Sequence, residues 1–397
     1  MKLLAQHTLD GYGGMGEGMS MQLARGGRRV LWLAHESAPK NFTAVEVTDP
    51  REPRVIVQTE LPHRAMRSNS LEVCGDIMAV AYQVAQPGLK PAGFELFDIS
   101  EPEQPRSIAF FDASGPHSRG CHVLWFVDGK TVHMACADPE LEPRDPKDDQ
   151  IYRIVDVNSP TRPRAAGRWH LPGTMQSDDA PPPKRLPPKF DAGFRAHNTN
   201  VYPERPERCY LGYLDGGMMV LDIADPSRPK LISRWSNSPP YNGFTHTVLP
   251  LFGRELLVVT DESIQNDGAD WPKLVWLLDA RDERNLVSIG TLPVSGVKPL
   301  LHKGGRCGAH NVHENRPGPG TWRSEDVVLG TFFNAGVRAY DVRDPFAPRE
   351  IAYFIPPAPQ GSPVSTAQIN DVFVDDRGIV FAVDRHAGGL YILEMAL

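Results

Sequence analysis

Histidine is scarce in this chain, at 13 of 397 residues, yet four copies stand at matching places in short apolar segments: RGCHVLWF, RAHNTNVY, FTHTVLPL and GAHNVHEN. These are His122, His197, His246 and His310. Imidazole is the commonest protein ligand for Fe, Mn, Zn and Cu, and four neutral nitrogens would leave a divalent ion its charge and one or two open positions. Such an ion suits O₂ activation or Lewis-acid polarisation of a substrate oxygen. Three of the four follow an arginine, namely Arg119, Arg195 and Arg306, and Arg67 holds a related place in MRSNSLEV. Guanidinium groups at a channel mouth can grip a carboxylate or phosphate through two parallel bonds, which points to a small anionic or oxygenated organic substrate. Salt bridging to the abundant Asp is the competing use of those arginines.

Three further segments align with these four. GEGMSMQL contributes Glu17, MRSNSLEV contributes Arg67 to Asn69, and INDVFVDD contributes Asn370 and Asp371. Glu17 and Asp371 are candidates for acid–base work beside the ion, and His117 in GPHSRG is placed for proton transfer or substrate contact. A second set of polar residues ends another group of strands: Glu36, Asp138, Asp215, Asp261 with Glu262, Asn334, and Asp384 with Arg385 and His386. Carboxylates behind the histidines would fix their tautomers, although Asp and Asn are also ordinary turn residues. His313, three residues beyond His310, points off the histidine side of a strand and reads as structural, as does the apolar Cys121. Cys307, in a glycine-rich loop, is a minor nucleophile or ligand candidate.

What must position these residues is a repeat. VLDIADPSRPKLISRW from Val220 recurs as AVEVTDPREPRVIV, LFDISEPEQPRSIAFF, RIVDVNSPTRPRAAGRW and RAYDVRDPFAPREIAYF, with a degraded copy, LLDARDERNLVSIG, from Leu277. Asp and Ser bond their own backbone in a turn while Pro presets φ and withholds a donor, so each copy reads as a hairpin onto an outer strand. The copies lie about 50 to 70 residues apart, the length of a four-stranded sheet with long loops. GGLYILEMAL at the C-terminus matches the strand before the turn, and the following outer strand is missing there. LLAQHTLDG near the N-terminus has its length and pattern, so the termini are expected to pair and close a seven-bladed all-β propeller, one domain over residues 1–397. In that architecture the repeated turn lies on one face and the histidine-bearing connections open on the other.

The repeated Asp-Pro hairpin resembles the LVIVD-repeat family of bacterial β-propellers, over essentially the whole chain. That resemblance implies architecture more than chemistry. A four-histidine centre contributed by separate blades is similar to the carotenoid-cleavage oxygenases, which hold non-haem iron in a seven-bladed propeller. Only this arrangement carries over, and it tilts the expected activity toward an oxidoreductase with Fe foremost and Mn, Zn or Cu as alternatives. Methanethiol-oxidase-type proteins are a looser likeness, and oligogalacturonate lyases show that a propeller metal can serve elimination. A lyase or hydrolase is therefore the second expectation, and a non-catalytic binding or scaffold propeller the third.

The chain exceeds a minimal blade of roughly 40 to 45 residues, and its surplus is expected in loops on the histidine face. The longest are 171–193, 294–308 and 356–367, with shorter ones at 86–93, 138–150 and 263–273. Crowded there, they would cover a pocket walled by Phe190, Phe194, Tyr241, Phe244 and Trp271, although the proline-rich 178–189 also has the composition of a linker. A net charge of −7 without a basic stripe argues against nucleic acid as a partner. The absence of a long apolar run argues against a membrane, and five cysteines without CxxC spacing suggest reduced thiols and a cytoplasmic protein.

Overall fold

The fold was analysed in a computed structural model, which describes residues 1–11 and 14–395; Tyr12, Gly13, Ala396 and Leu397 lie outside the described residues. Seven antiparallel sheets form the blades of a ring. The first blade runs Met15–Leu23, Lys40–Glu46 and their neighbours out to Arg54–Glu60, and the third runs from Cys121–Trp125 out to Arg164–Trp169. The seventh consists of Ile369–Val374, Ile379–Asp384 and Leu390–Glu394, and its outer strand is Lys2–His7 from the other end of the chain. Register runs from Lys2 opposite Glu394 to His7 opposite Leu390, so the N-terminal strand covers the edge that the last blade would otherwise expose.

The repeated turn works as its residues suggest. Asp222 and Asp225 each accept the backbone N–H two residues on, at 3.0 Å. Asp98, Asp156 and Asp341 do the same at 2.9, 2.8 and 3.0 Å. The degraded copy keeps both devices through Asp279 and Asp282, each at 3.0 Å, which explains how it survives losing its prolines. Each third-to-fourth strand pair also carries a register shift, from Ala44/Val45 in the first blade to Leu3/Ala5 in the last. The extra residue sharpens the right-handed twist that the outer strand of a blade requires.

The innermost strands depart from a regular four-stranded blade. In the second blade the inner edge is split into Met66–Arg67 and Leu71–Cys74, and in the sixth only three regular strands form, Val327–Thr331, Val337–Asp341 and Arg349–Phe354. There the stretch from His310 to His313 pairs through separate bonds, His310 N to Thr331 O and His313 N to Leu329 O, both at 2.9 Å. The expected four-stranded sheet is thus incomplete in the sixth blade, where the inner segment pairs through isolated bonds rather than a continuous ladder. Apolar residues fill the spaces between neighbouring blades, with Trp32, Trp125, Tyr152 and Phe94 fully buried.

Candidate metal centre

Irregularity of the inner strands is what brings the polar side chains together. Register shifts interrupt pairing between Met15 and Met19, Cys121 and Val123, Thr245 and Val248, and Ile369 and Asp371. Glu17, His122, His246 and Asn370 sit inside those interruptions, where a bulge re-aims a side chain out of the normal alternation. Glu17 lies between Gly16 and Gly18, and a Cβ at Gly18 would stand 2.2 Å from the Leu71 backbone N. Those glycines let the first blade approach the second closely enough for Glu17 N to bond Asn69 O at 2.7 Å.

The structure brings all four histidines into one buried ring, each no more than 7 % exposed. Glu17 stands in the middle. Its Oε2 lies 3.7 Å from His197 Nε2 and 3.4 Å from His246 Nε2, and its Oε1 lies 3.4 Å from His310 Nε2. Glu262 approaches from the side, 3.9 Å from His246 Nε2 and 3.7 Å from His310 Nε2. His122 Nε2 faces His197 Nε2 at 3.0 Å.

The outer nitrogens explain why every Nε2 faces inward. His122 Nδ1 lies 3.0 Å from Gln83 Oε1, and that amide is oriented because the same oxygen accepts from Arg67 Nε at 2.7 Å. His197 Nδ1 meets Asn198 Oδ1 at 2.9 Å, while Asn198 Nδ2 donates to Glu314 Oε1 at 2.7 Å, which excludes the flipped amide. His246 Nδ1 meets Thr247 Oγ1 at 2.7 Å, and that hydroxyl donates onward to Asn311 Oδ1 at 3.3 Å. His310 Nδ1 donates to the Asn370 carbonyl at 2.6 Å. With Nδ1–H committed to acceptors, His197, His246 and His310 turn Nε2 toward the centre, whereas His122 Nδ1 meets both an acceptor, Gln83 Oε1, and a donor, Arg67 Nη2 at 3.3 Å. The carboxylates expected behind the histidines are therefore replaced by amides, a hydroxyl and a carbonyl, because those are the acceptors within reach at the strand interruptions.

Burial and neighbouring charge shape the ring's protonation. Burial and the adjacent His246 hold His197 down to about 3. His122 is held well below its usual value by burial and by His197 beside it. Burial alone would raise Glu17, but His197 and His246 keep it well below the usual carboxylate range. Burial likewise opposes ionisation of Glu262, and His310 with Arg306 brings it down to about 2. Burial opposes a charge on His310, but Glu262 and Glu17 raise it above its usual value, so the centre combines two carboxylates with imidazoles whose Nε2 atoms converge.

This donor set fits a divalent transition ion. The ligating atoms of Glu17, His197 and His246 lie within 4.8 Å of one another, as do those of His246, Glu262 and His310. Metal–nitrogen bonds of about 2.0 to 2.1 Å place adjacent ligands roughly 3.0 to 3.4 Å apart, close to the separations around Glu17. Glu17 Oε2, His246 Nε2 and His310 Nε2 are buried without a hydrogen-bond partner. Acceptors of that kind, grouped face to face, call for a cation. Imidazole and carboxylate donors without thiolate favour Fe, Mn, Zn or Cu(II) over Cu(I).

Two aromatic rings flank the ring of histidines. Phe333 stacks on His310 at 4.8 Å between centroids, and Phe244 lies 6.4 Å from His197. Both adopt left-handed backbone, φ 65 at Phe244 and φ 49 at Phe333, a costly conformation for a bulky residue that aims the ring over an imidazole. Of the expected apolar walls only Phe244 reaches the centre. Tyr241 packs on Trp276, and Phe194 lies under the Arg185 guanidinium.

The arginines divide. Arg306 binds Glu262 at 2.5 Å, and Arg67 binds Glu36 at 3.0 Å. Arg385 also bonds Glu36, and it donates to Asn370 Oδ1 at 3.2 Å. Arg119 makes a two-pronged pair with Asp149 at 2.9 and 2.6 Å. For these the salt-bridge alternative holds. Arg195 differs: its Nη1 donates to Gln150 Oε1 at 3.4 Å, it has no carboxylate partner, and its Nε is buried without a partner. Asp371 is buried, and burial together with Glu314 pushes it up to about 7; its Oδ1 accepts from Val372 N at 2.8 Å. His117 does not join the ring: it is exposed and lies 4.0 Å from Glu142, because the turn preceding Ser118 carries it outward. Burial raises the Cys307 thiol to about 12, so it offers no thiolate at neutral pH. His313 is buried against the Trp322 carbonyl at 2.7 Å, clear of the centre.

Gln83, Asn198 and Glu314 have places around the centre that sequence patterns alone did not assign, while Glu262, expected behind the histidines, stands beside His246 and His310. One signal existed: Ala-His-Asn occurs at both 196–198 and 309–311, and both asparagines enter the hydrogen bonding behind the ring.

No protein-family profile matches the chain, and no curated protein does. Among solved structures, the β-propeller domain of Cps50 (Swd1) from Myceliophteria thermophila superposes with a TM-score of 0.58 at 12% identity, covering 97% of this chain and 100% of that one. A protein from Lactobacillus plantarum gives 0.56 at 10% identity, covering 89% and 91%. What they share with this chain is the fold. At such identities a propeller likeness carries no activity across.

Proposed function

We propose that this propeller is a metal-dependent enzyme whose ion is held by His122, His197, His246 and His310 with Glu17 and Glu262, and that it is an oxidoreductase acting on a small organic substrate. The observation that carries the reading is the set of inward Nε2 lone pairs around Glu17, each imidazole locked by an acceptor on its other nitrogen. A bound Fe, or less favourably Mn, Zn or Cu, would supply O₂ activation or Lewis-acid polarisation at an open position. Four imidazoles from separate blades are the point of likeness to the carotenoid-cleavage oxygenases, and the Asp-Pro hairpins are the point of likeness to LVIVD-repeat proteins.

The chain's own residues have definable tasks in this reading. Glu17 and Glu262 balance a divalent charge, which the imidazoles alone would leave uncompensated in a buried site. Arg306 holds Glu262 toward His310, and Phe244 and Phe333 keep water from the imidazole faces. Gln83, Asn198, Thr247 and the Asn370 carbonyl accept from the outer nitrogens and so turn each Nε2 toward the centre. The five cysteines are all free, as suits a protein of the cytoplasm.

Loading purified protein with Fe(II) and following dissolved O₂ with panels of small organic acids and alcohols tests the reading. Substrate-dependent O₂ uptake that disappears in His246→Ala is expected. Turnover without O₂ uptake would replace oxidation by metal-dependent elimination or hydrolysis.

A further inference from the structure

Around Glu17 the buried polar groups without partners are acceptors, which the ion would satisfy. Among those elsewhere are three donors, Gln83 Nε2, Gln150 Nε2 and Arg195 Nε, which are buried with no acceptor among the protein's groups. Arg195 and Gln150 are neighbours, joined by the 3.4 Å bond between them.

Arg195 lines a cleft of about 300 Å³ together with Arg119 and Lys147, and no Asp or Glu lines it among the described residues. Two of its three cations are already matched, Arg119 by Asp149 and Lys147 by Asp191 at 3.1 Å. Arg195 has no such carboxylate partner, so the cleft carries a surplus of one positive charge. Arg119 also lines a neighbouring cleft of about 320 Å³ that includes Arg67 and Gln83. Gln83 is the residue that holds His122. The second cleft therefore reaches the residue behind His122, and Arg119 borders both.

From this arrangement we infer that the cleft at Arg195 is the anchoring subsite for the carboxylate of an organic monocarboxylic acid, with the Arg195 guanidinium as its donor beside Arg119 and Lys147. This rests on the proposed metal centre for its purpose but not for its binding chemistry. A planar carboxylate accepts from a guanidinium edge through two oxygens, and its single charge matches the surplus that Arg195 leaves. A phosphate dianion would exceed that charge by one.

The test is calorimetric titration of the metal-loaded full-length protein with butyrate, benzoate and inorganic phosphate. Carboxylate binding is expected to exceed phosphate binding and to weaken at least about tenfold in Arg195→Gln, the loss of a charge-assisted hydrogen bond. Gln150→Glu, which keeps the arginine and supplies it with an internal carboxylate, is expected to abolish binding, with metal content unchanged in both variants. Undiminished carboxylate binding in folded Arg195→Gln or in Gln150→Glu, phosphate binding tighter than carboxylate, or no carboxylate binding by metal-loaded protein would each overturn the assignment. The metal centre would stand in all three cases. Arginine-dependent carboxylate binding by protein that takes up no metal would uphold the subsite and remove the centre.

Discussion

His197 shows how much of the centre depends on a residue that touches no ligand position. Its Nδ1–H is held by Asn198, whose amide is held in turn by Glu314 reaching across from the sixth blade. Removing the acceptor frees the imidazole to turn or to adopt the other tautomer, with Nε2 carrying the proton. Asn198→Ala is expected to weaken metal binding roughly 10- to 100-fold, the usual effect of losing an outer partner of a ligating histidine. Competition with a chelator of known affinity measures it, and an unchanged affinity would show that His197 is oriented by something else. The histidines were readable from spacing, since equivalent blade positions must point inward at one height. Their partners were not. An acceptor for Nδ1 is chosen by proximity at an irregular strand, so it comes from groups of three chemical kinds, two side-chain amides, a hydroxyl and a backbone carbonyl, with no repeated pattern behind the ring.

At the scale of elements, the hairpins and the inner strands behave in opposite ways. Asp-Pro hairpins are local: Asp222 and Asp225 bond within their own turn, so sequence alone defines them and their copies count the blades. The inner strands are defined by what the neighbouring blades allow. Glu17 was one candidate among several because its central place depends on two flanking glycines and a register shift between blades. Long loops are a third case. The segment 178–189 has the composition of a linker, yet Arg185 ties it to Asp148 at 2.9 Å and to Asp191 at 2.8 Å. Asp215 accepts from Ala192 and Gly193 N–H at 2.8 and 3.0 Å, anchoring the end of the loop.

Asp215 gives this loop a pH dependence with a definite sign. Burial pushes its carboxyl up to about 7, above an unfolded value near 4. Its contribution to stability is therefore complete below about pH 4 and is lost as pH rises through about 7. In Asp215→Asn the amide oxygen still accepts both N–H groups, and the NH₂ replaces an oxygen that has no donor. The variant's stability relative to wild type is expected to improve from pH 4 to pH 8, by at most about 4 kcal/mol. Urea unfolding across that range would show it, and a constant difference would mean that Asp215 is ionised throughout.

For the whole molecule, closure by Lys2–His7 makes the channel a single rigid frame, and residues from six blades meet in it: Glu17, His122, His197, His246 with Glu262, His310, and Asn370. The number of blades and the pairing of the ends were legible, because hydrophobic patterning and turn chemistry repeat. Reaction type was not, because propellers host unrelated chemistries and the specificity lies in loops that do not repeat. No helix among the described residues is long and apolar enough to cross a membrane. The central claim concerns the ion. Its most direct measurement is elemental analysis of the purified, untagged protein beside His246→Ala and Glu17→Gln. The account predicts a stoichiometric transition metal in the wild type, its loss in His246→Ala and its depletion in Glu17→Gln, with all three folded. Folded wild-type protein that stays free of metal after incubation with Fe(II), Mn(II), Zn(II) and Cu(II) would contradict it.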